Sequence, residues 1–260
     1  MHMKRTDMAC DFMPRDNSNN EYVRSFTVTV DGELSRKLRR PQGKYCTVEC
    51  RAVRERNAVR FGEISLLLKD AIVRFVPDKA RSVLVVGLGN PDMTADSLGA
   101  QTCSRLTATR AVPQSKGTRI SVITPNVLGV TGIESFDVVA GVAQRTKPDA
   151  VIAIDSLASA AVSRIASAFQ VTDTGITPGS GVSNHRERLC RDTLGVPVIS
   201  LGVPLVVYAS TIIEDATGKE CPEETADSVG SMIVTPKDID LYVSDCADII
   251  SSAIQNAFLR

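Results

Sequence analysis

Four short, mainly apolar runs set the strongest limit on how this chain of 260 residues can fold. Each run has the length of a β-strand and lacks polar alternation, which is typical of a strand buried on both faces of a parallel sheet. Aromatic residues make up only 4% of the chain, so the core must be built from aliphatic side chains. The runs are residues 82–88, 120–123, 150–154 and 196–203.

Segments with helical spacing lie between and around these runs. Strands that alternate with helices predict an α/β fold, a doubly wound and mostly parallel sheet flanked by helices. The polar stretch 214–231 interrupts the pattern and is predicted to be a surface insertion. The predicted helices are residues 64–75, 95–111, 132–147 and 236–258.

The first part of the chain differs from the rest, because residues 1–60 carry an excess of Lys and Arg over Asp and Glu. Residues 26–30 alternate apolar and polar side chains, and residues 46–53 form a second candidate strand. We therefore predict a small N-terminal, β-containing extension (1–60) before an α/β catalytic domain (61–260). The basic run 36–40 is interpreted as a solvated face or loop, with a docking surface for an acidic partner as the alternative.

The formal net charge is zero, which predicts neither direct nucleic-acid binding nor attraction to an anionic membrane. The seven cysteines are scattered without a Cys-x-x-Cys pair, as expected in a reducing compartment. The N-terminus is charged and has no apolar run behind it, and the longest apolar stretch is too short for a membrane span. We expect a cytoplasmic protein.

A glycine motif follows the first apolar run, at residues 87–99. Ligands of open α/β sheets bind beyond the carboxyl ends of the strands, so this segment is a candidate site. Gly87 and Gly89 suit a dinucleotide-binding turn, but Asp92 stands where that fingerprint needs a third glycine. A silent nucleotide- or protein-binding module remains the alternative to an enzyme, and no cofactor is expected.

Two aspartates are the strongest catalytic candidates. Asp155 directly follows the run 150–154, and Asp96 lies shortly after the run 82–88. Either residue could simply cap a helix. If the two strands are neighbours, both carboxylates reach one crevice and share a proton, which supplies a base for water and an acid for a leaving amine. We assign Asp96 as base and Asp155 as the protonated partner, with the reverse roles left open.

A Ser–His or Cys–His mechanism has few candidate residues, because His2 and His185 are the only histidines. Cys190 is five residues from His185, which is not a same-face helical spacing. Gly179, Ser180 and Gly181 most simply form a turn, although their backbone amides could bind an oxyanion or substrate.

Together these segments resemble the germination protease of endospore-forming bacteria, and the resemblance runs nearly end to end. The matching stretches are residues 5–9, 85–99, 124–125, 129–134, 147–158, 173–182, 195–199, 202–204 and 234–240.

This resemblance implies an atypical aspartic-type endopeptidase that begins the degradation of small acid-soluble spore proteins. It implies that Asp96 and Asp155 match the family's two essential aspartates. It also implies a zymogen with a short N-terminal propeptide, a homotetramer and residence in the forespore or spore core. Residues 5–9 resemble the region around the self-processing site, which would leave very little propeptide, and the chain is shorter than is usual for the family near 214–231 and near its amino end.

The family's fold is similar to that of hydrogenase maturation endopeptidases, which use two carboxylates and a histidine around nickel. Asp96, Asp155 and His185 would imitate that set, so a metal-dependent endopeptidase is the alternative mechanism. The simpler interpretation of His185, within the polar run 184–188, is a surface residue.

Overall fold

A computed structural model describes the chain at residues 6–12, 22–112, 117–179, 187–229 and 232–259. The described strands are β1 (Val23–Val30), β2 (Gly43–Cys50), β3 (Ser82–Gly87), β4 (Arg119–Ile123), β5 (Ala150–Ser159), β6 (Ala168–Thr172), β7 (Val198–Tyr208) and β8 (Ile233–Val234). The described α-helices are α1 (Gly32–Leu38), α2 (Phe61–Phe75), α3 (Leu98–Ser104), α4 (Leu128–Thr131), α5 (Ser135–Thr146), α6 (Arg191–Leu194), α7 (Ala209–Thr217), α8 (Glu223–Val229) and α9 (Ile239–Phe258).

The strands form one mixed sheet with the order β1-β2-β6-β7-β5-β3-β4, and β8 pairs with β7. Strands β4, β3, β5 and β7 are parallel neighbours, as the apolar runs predict. Strand β6 is antiparallel to both β7 and β2, and β1 is antiparallel to β2. The predicted α/β class with a mostly parallel sheet is confirmed.

Both faces of the central strands are covered by helices. Along β3, Val83 and Val85 pack into the larger apolar core with α2, α3 and α9, whereas Leu84 and Val86 pack into the second core with α5. Because alternate side chains enter opposite cores, a strand in this position needs an unbroken apolar run. This is why the sequence pattern located the parallel strands correctly.

Two predicted segments differ from the structure in their local form. The predicted helix 95–111 is shortened to α3, because Thr109 turns back and exchanges backbone and side-chain hydrogen bonds with Ile120 of β4. The polar stretch 214–231 contains the end of α7 and the short helix α8. Its polar character therefore reflects solvated helices as well as loops.

The basic run lies partly on α1, whose first turn is capped by Asp31: the carboxylate accepts hydrogen bonds from the backbone amides of Glu33 and Leu34. Arg36, Lys37 and Arg39 are exposed at its C-terminal end, whereas Arg40 is half-buried. This fits a solvated face. Strands β1 and β2, from the predicted extension, continue the same sheet through the β2–β6 pairing.

The N-terminal segment (Thr6–Phe12) lies against the sheet. Met8 and Cys10 are buried beside Leu157 and Ala168. Asp11 pairs with the buried Arg164, and its carboxylate also accepts a hydrogen bond from the amide of Ala160 at 2.7 Å. A short helix and an ion pair thus fix this segment beside the C-terminal half of β5. In the portion of the chain that the structure describes, no helix combines the length and apolarity needed to cross a bilayer.

Candidate active site

A cavity of about 490 Å³ lies at the carboxyl ends of the parallel strands, where α/β sheets usually bind ligands. Its walls come from β5, from the loop after β3, from β6 and from the N-terminal segment. Asp96 and Asp155 both line it, together with Asp7, Gln170 and Gly179. The structure thus brings together the two aspartates that are distant in the sequence.

Asp155 lies inside β5 and not beyond its end, because β5 continues beside β7 as far as Ser159. No helix begins at Asp155, so the capping interpretation is wrong for this residue. Its side chain is only 7% exposed, and one carboxylate oxygen accepts a hydrogen bond from the Ser156 amide at 2.9 Å. A buried aspartate in the middle of a strand has no capping function and is costly to ionise.

The environment of Asp155 favours its protonated form. Burial raises the pKa of Asp155 well above its ordinary range, and the nearby negative charges of Asp96 and Asp7 raise it further. The hydrogen bond from the Ser156 amide acts in the opposite direction but is the smaller effect. Asp155 is therefore suited to hold a proton that it can donate.

Asp96 occupies a different environment, at the end of a 3-10 helix (Thr94–Asp96) in the loop after β3. One carboxylate oxygen accepts a hydrogen bond from the backbone amide of Asn90 at 2.7 Å. Asp96 does not cap α3, because Ser97 is the N-cap residue of that helix. The Asn90 hydrogen bond instead fixes the carboxylate within its own loop, and an ionised carboxylate is a strong acceptor for such a bond.

The glycine motif serves backbone packing around this loop. A side chain at Gly87 would overlap the carbonyl of Gly99 at the first turn of α3, and one at Gly99 would overlap the backbone of Leu88. Gly89 has φ +93°, and a side chain there would overlap the carbonyl oxygen of Asp96. These glycines therefore allow two backbone segments to touch, which accounts for the motif without a phosphate ligand.

We expect Gly89→Ala to disturb the position of Asp96. The new methyl group would force the Asp96 carbonyl away, and the residue would be held at an unfavourable φ. The expected result is a loss of about 2–4 kcal/mol in the free energy of unfolding and about a hundredfold loss of activity. Denaturant unfolding and initial rates measure both quantities.

Gly141→Ala in α5 is the matched control, because no atom lies within 4 Å of the added methyl group. It should keep full activity and gain up to about 1 kcal/mol of stability. Equal behaviour of the two variants would contradict the role assigned to Gly89.

The remaining predicted site residues divide into two groups. Gly179 lines the cavity and has φ +65°. Ser180, Gly181 and His185 lie outside the described residues, so the oxyanion and nickel hypotheses stay predictions where they depend on these three. Within the described ranges, no three His, Cys, Asp or Glu side chains are grouped so that they could hold a metal ion.

Two cavity residues were missed by reasoning from the sequence. The Asp7 amide donates to the carbonyl oxygen of Ala158 in β5 at 2.8 Å, and the Asp7 carboxylate accepts from the Ala158 amide at 2.9 Å. The other oxygen of this carboxylate lies 3.7 Å from a guanidinium nitrogen of Arg40. Gln170 enters the cavity from β6, a short strand that no apolar run indicated. Only the family resemblance of residues 5–9 drew attention to Asp7.

Comparisons with known proteins point to one family. The model of the germination protease family matches residues 3–219. The chain is 43% identical to the germination protease of Bacillus subtilis over 205 residues, covering 74% of this chain and 55% of that relative. It is 33% identical to the germination protease of Clostridium acetobutylicum over 298 residues, covering 99% of this chain and 91% of that relative. The chain thus spans little more than half of the Bacillus subtilis protein but nearly all of the clostridial one.

Among solved structures, the chain is similar to a hydrogenase maturation protease from Thermococcus kodakarensis, with 16% identity and a TM-score of 0.43. The match covers 73% of this chain and 99% of that protein's chain. The family assignment does not depend on it, because the family model covers most of the sequence. The chain belongs to the germination protease family.

Proposed function

We propose that this chain is an endopeptidase in which Asp96 and Asp155 activate a water molecule to hydrolyse a peptide bond. The observation that carries the proposal is the pairing of two unlike carboxyl groups in one cavity. Asp155 is buried and favours its protonated form, whereas Asp96 lies in the loop after β3, where its carboxylate accepts a hydrogen bond from the Asn90 amide. In the proposal, Asp155 supplies the proton and Asp96 serves as the base, as acid–base hydrolysis requires.

In the proposed reaction, Asp96 accepts a proton from water as the oxygen attacks the peptide carbonyl. Asp155 donates its proton to the nitrogen of the departing amine, so that the C–N bond breaks without a covalent enzyme intermediate. The proton that Asp96 took from water then passes to Asp155, which restores the starting state of both groups. Each proton transfer contributes about 10²–10⁴ to the rate in enzymes of this type.

The proposed substrates are small acid-soluble spore proteins, degraded in the spore core at germination. This part of the proposal depends on membership of the family and on the names of its relatives, which are germination proteases. The homotetramer that the resemblance implies is part of the same proposal.

The direct test is an assay of the purified full chain with a small acid-soluble spore protein, with and without exhaustive chelation. We expect cleavage that chelation does not change and that persists in His185→Ala. Activity that disappears on chelation and also in His185→Ala would support the nickel alternative. Absence of any cleavage would reject the proposed function and leave the silent binding module.

The rate should also depend on pH in a defined direction. Because Asp155 must be protonated and its pKa is raised, kcat should fall as the pH rises through that pKa. A pH profile of kcat measures this, with folding followed in parallel by circular dichroism. A rate that rises steadily through the same range would reverse the assignment of acid and base.

A further inference from the structure

Part of the chain's own N-terminal segment forms a wall of the cavity, and Gln170 holds it there. Gln170 is buried, and its carboxamide makes two hydrogen bonds to the backbone of this segment. The Nε2 group donates to the carbonyl oxygen of Asp7 at 3.1 Å, and Oε1 accepts from the amide of Ala9 at 2.8 Å. One side chain thus holds the peptide backbone on both sides of Met8.

The same segment also uses the edge of β5. Pairing of β3 with β5 stops at Gly87 and Ile154, and beyond that point the Asp7 amide donates to the Ala158 carbonyl at 2.8 Å. A peptide that bonds to a strand edge through its backbone gains affinity that does not depend on its side chains. The edge begins beside Asp155 and borders the cavity.

These contacts are directed to backbone groups, which every peptide carries. Gln170 supplies one donor and one acceptor at the spacing of a carbonyl and an amide two residues apart in a chain. Strand β6 does not need the Gln170 carboxamide for its own pairing, because it pairs with β2 and β7 through its backbone.

We propose that Gln170 is a substrate-positioning residue that holds the backbone of a bound peptide beside Asp96 and Asp155, as it now holds residues 7–9. The inference rests on the proposed function in that it takes the ligand of the cavity to be a peptide. It adds a residue that binds the peptide backbone and fixes its register against the two carboxyl groups.

The test uses two fluorescent peptides with the sequence of residues 4–12, one unmodified and one N-methylated at the amide that corresponds to Ala9. Both are titrated into the full chain carrying Asp155→Asn, with Gln170 present or replaced in Gln170→Leu, and anisotropy gives each Kd. Both peptides compete with the chain's own segment, so that competition cancels in the ratio of their Kd values.

We expect N-methylation to weaken binding about tenfold when Gln170 is present and less than about twofold in Gln170→Leu. Thr47→Val, at the β2 position paired with Gln170, is the control and should keep the tenfold ratio. Equal weakening with and without Gln170, or no binding of the unmodified peptide, would overturn the proposal.

A kinetic measurement separates positioning from simple anchoring of the N-terminal segment. If Gln170 positions substrate, Gln170→Leu should lower kcat/KM for a spore protein about tenfold, and its thermal midpoint should not account for the loss. If Gln170 only anchors the N-terminal segment, Gln170→Leu should release the segment from the cavity wall and leave kcat/KM unchanged or raise it. Because the binding assay requires no hydrolysis, failure of the proposed function and failure of this inference are distinguishable.

Discussion

Asp155→Asn should reduce kcat by about a thousandfold or more, because the variant can neither hold nor donate the proton required by the departing amine. The substitution keeps the shape of the side chain and can still accept the hydrogen bond from Ser156. The measurement is the single-turnover rate of spore-protein cleavage. Asp149→Asn is the matched control, since Asp149 only binds backbone and side-chain donors at Arg81 and Ser82 and should leave the rate unchanged.

The same substitution should stabilise the protein, which distinguishes lost chemistry from lost structure. A carboxyl group whose pKa is raised by folding stabilises the native state fully below its unfolded pKa, near pH 4, and that contribution is lost as the pH rises through the folded pKa. The Asn side chain carries no charge, so the variant avoids this loss. Its thermal midpoint should match that of the wild type near pH 4 and exceed it at neutral pH, by about 1 kcal/mol or 2–4 °C. A variant that is less stable at neutral pH would contradict the assigned environment of Asp155.

Asp96→Asn should cost about as much activity, about a thousandfold, because no carboxylate would remain to accept the proton of water. The double variant should be no slower than either single variant, since in the proposed reaction neither group completes the proton exchange without the other. Additive losses would show that the two aspartates act independently of each other.

Asp96→Asn has a second consequence that does not depend on activity. The charge of Asp96 helps to raise the pKa of Asp155, so its removal should lower the pKa of Asp155 toward the ordinary value. Carbon-13 NMR titration of labelled aspartate measures this shift, with Asp149→Asn as the control that should leave the pKa of Asp155 in place. An unchanged pKa in Asp96→Asn would place the two carboxyl groups too far apart to share a substrate.

The sequence indicated the central sheet because parallel strands covered on both faces require continuous apolar runs, as in β3 and β5. It did not indicate β6, since five residues that include Gln170 produce no recognisable period. It placed Asp155 at the end of a strand, whereas pairing with β7 extends β5 for four further residues. Strand length here is set by the neighbouring strand, which local patterns do not report.

The candidate site could be predicted only in part from the sequence, for a similar reason. Asp96 and Asp155 could be paired in advance, because residues after neighbouring parallel strands converge at one edge of the sheet. Asp7 and Gln170 could not, because their positions depend on a terminal segment that borders the cavity and on a strand antiparallel to its neighbours. Contacts of this kind are tertiary and leave no local periodicity.

The contact between Gly87 and Gly99 closes the Asp96 loop at its base, where the chain leaves β3 and enters α3. The tip of that loop, at residues 91–93, is exposed and lies outside this closure. Lengthening the tip would therefore leave the carboxylate in register while adding surface that reaches over a bound polypeptide. Within this architecture, the breadth of substrates accepted can change independently of the chemistry performed on them.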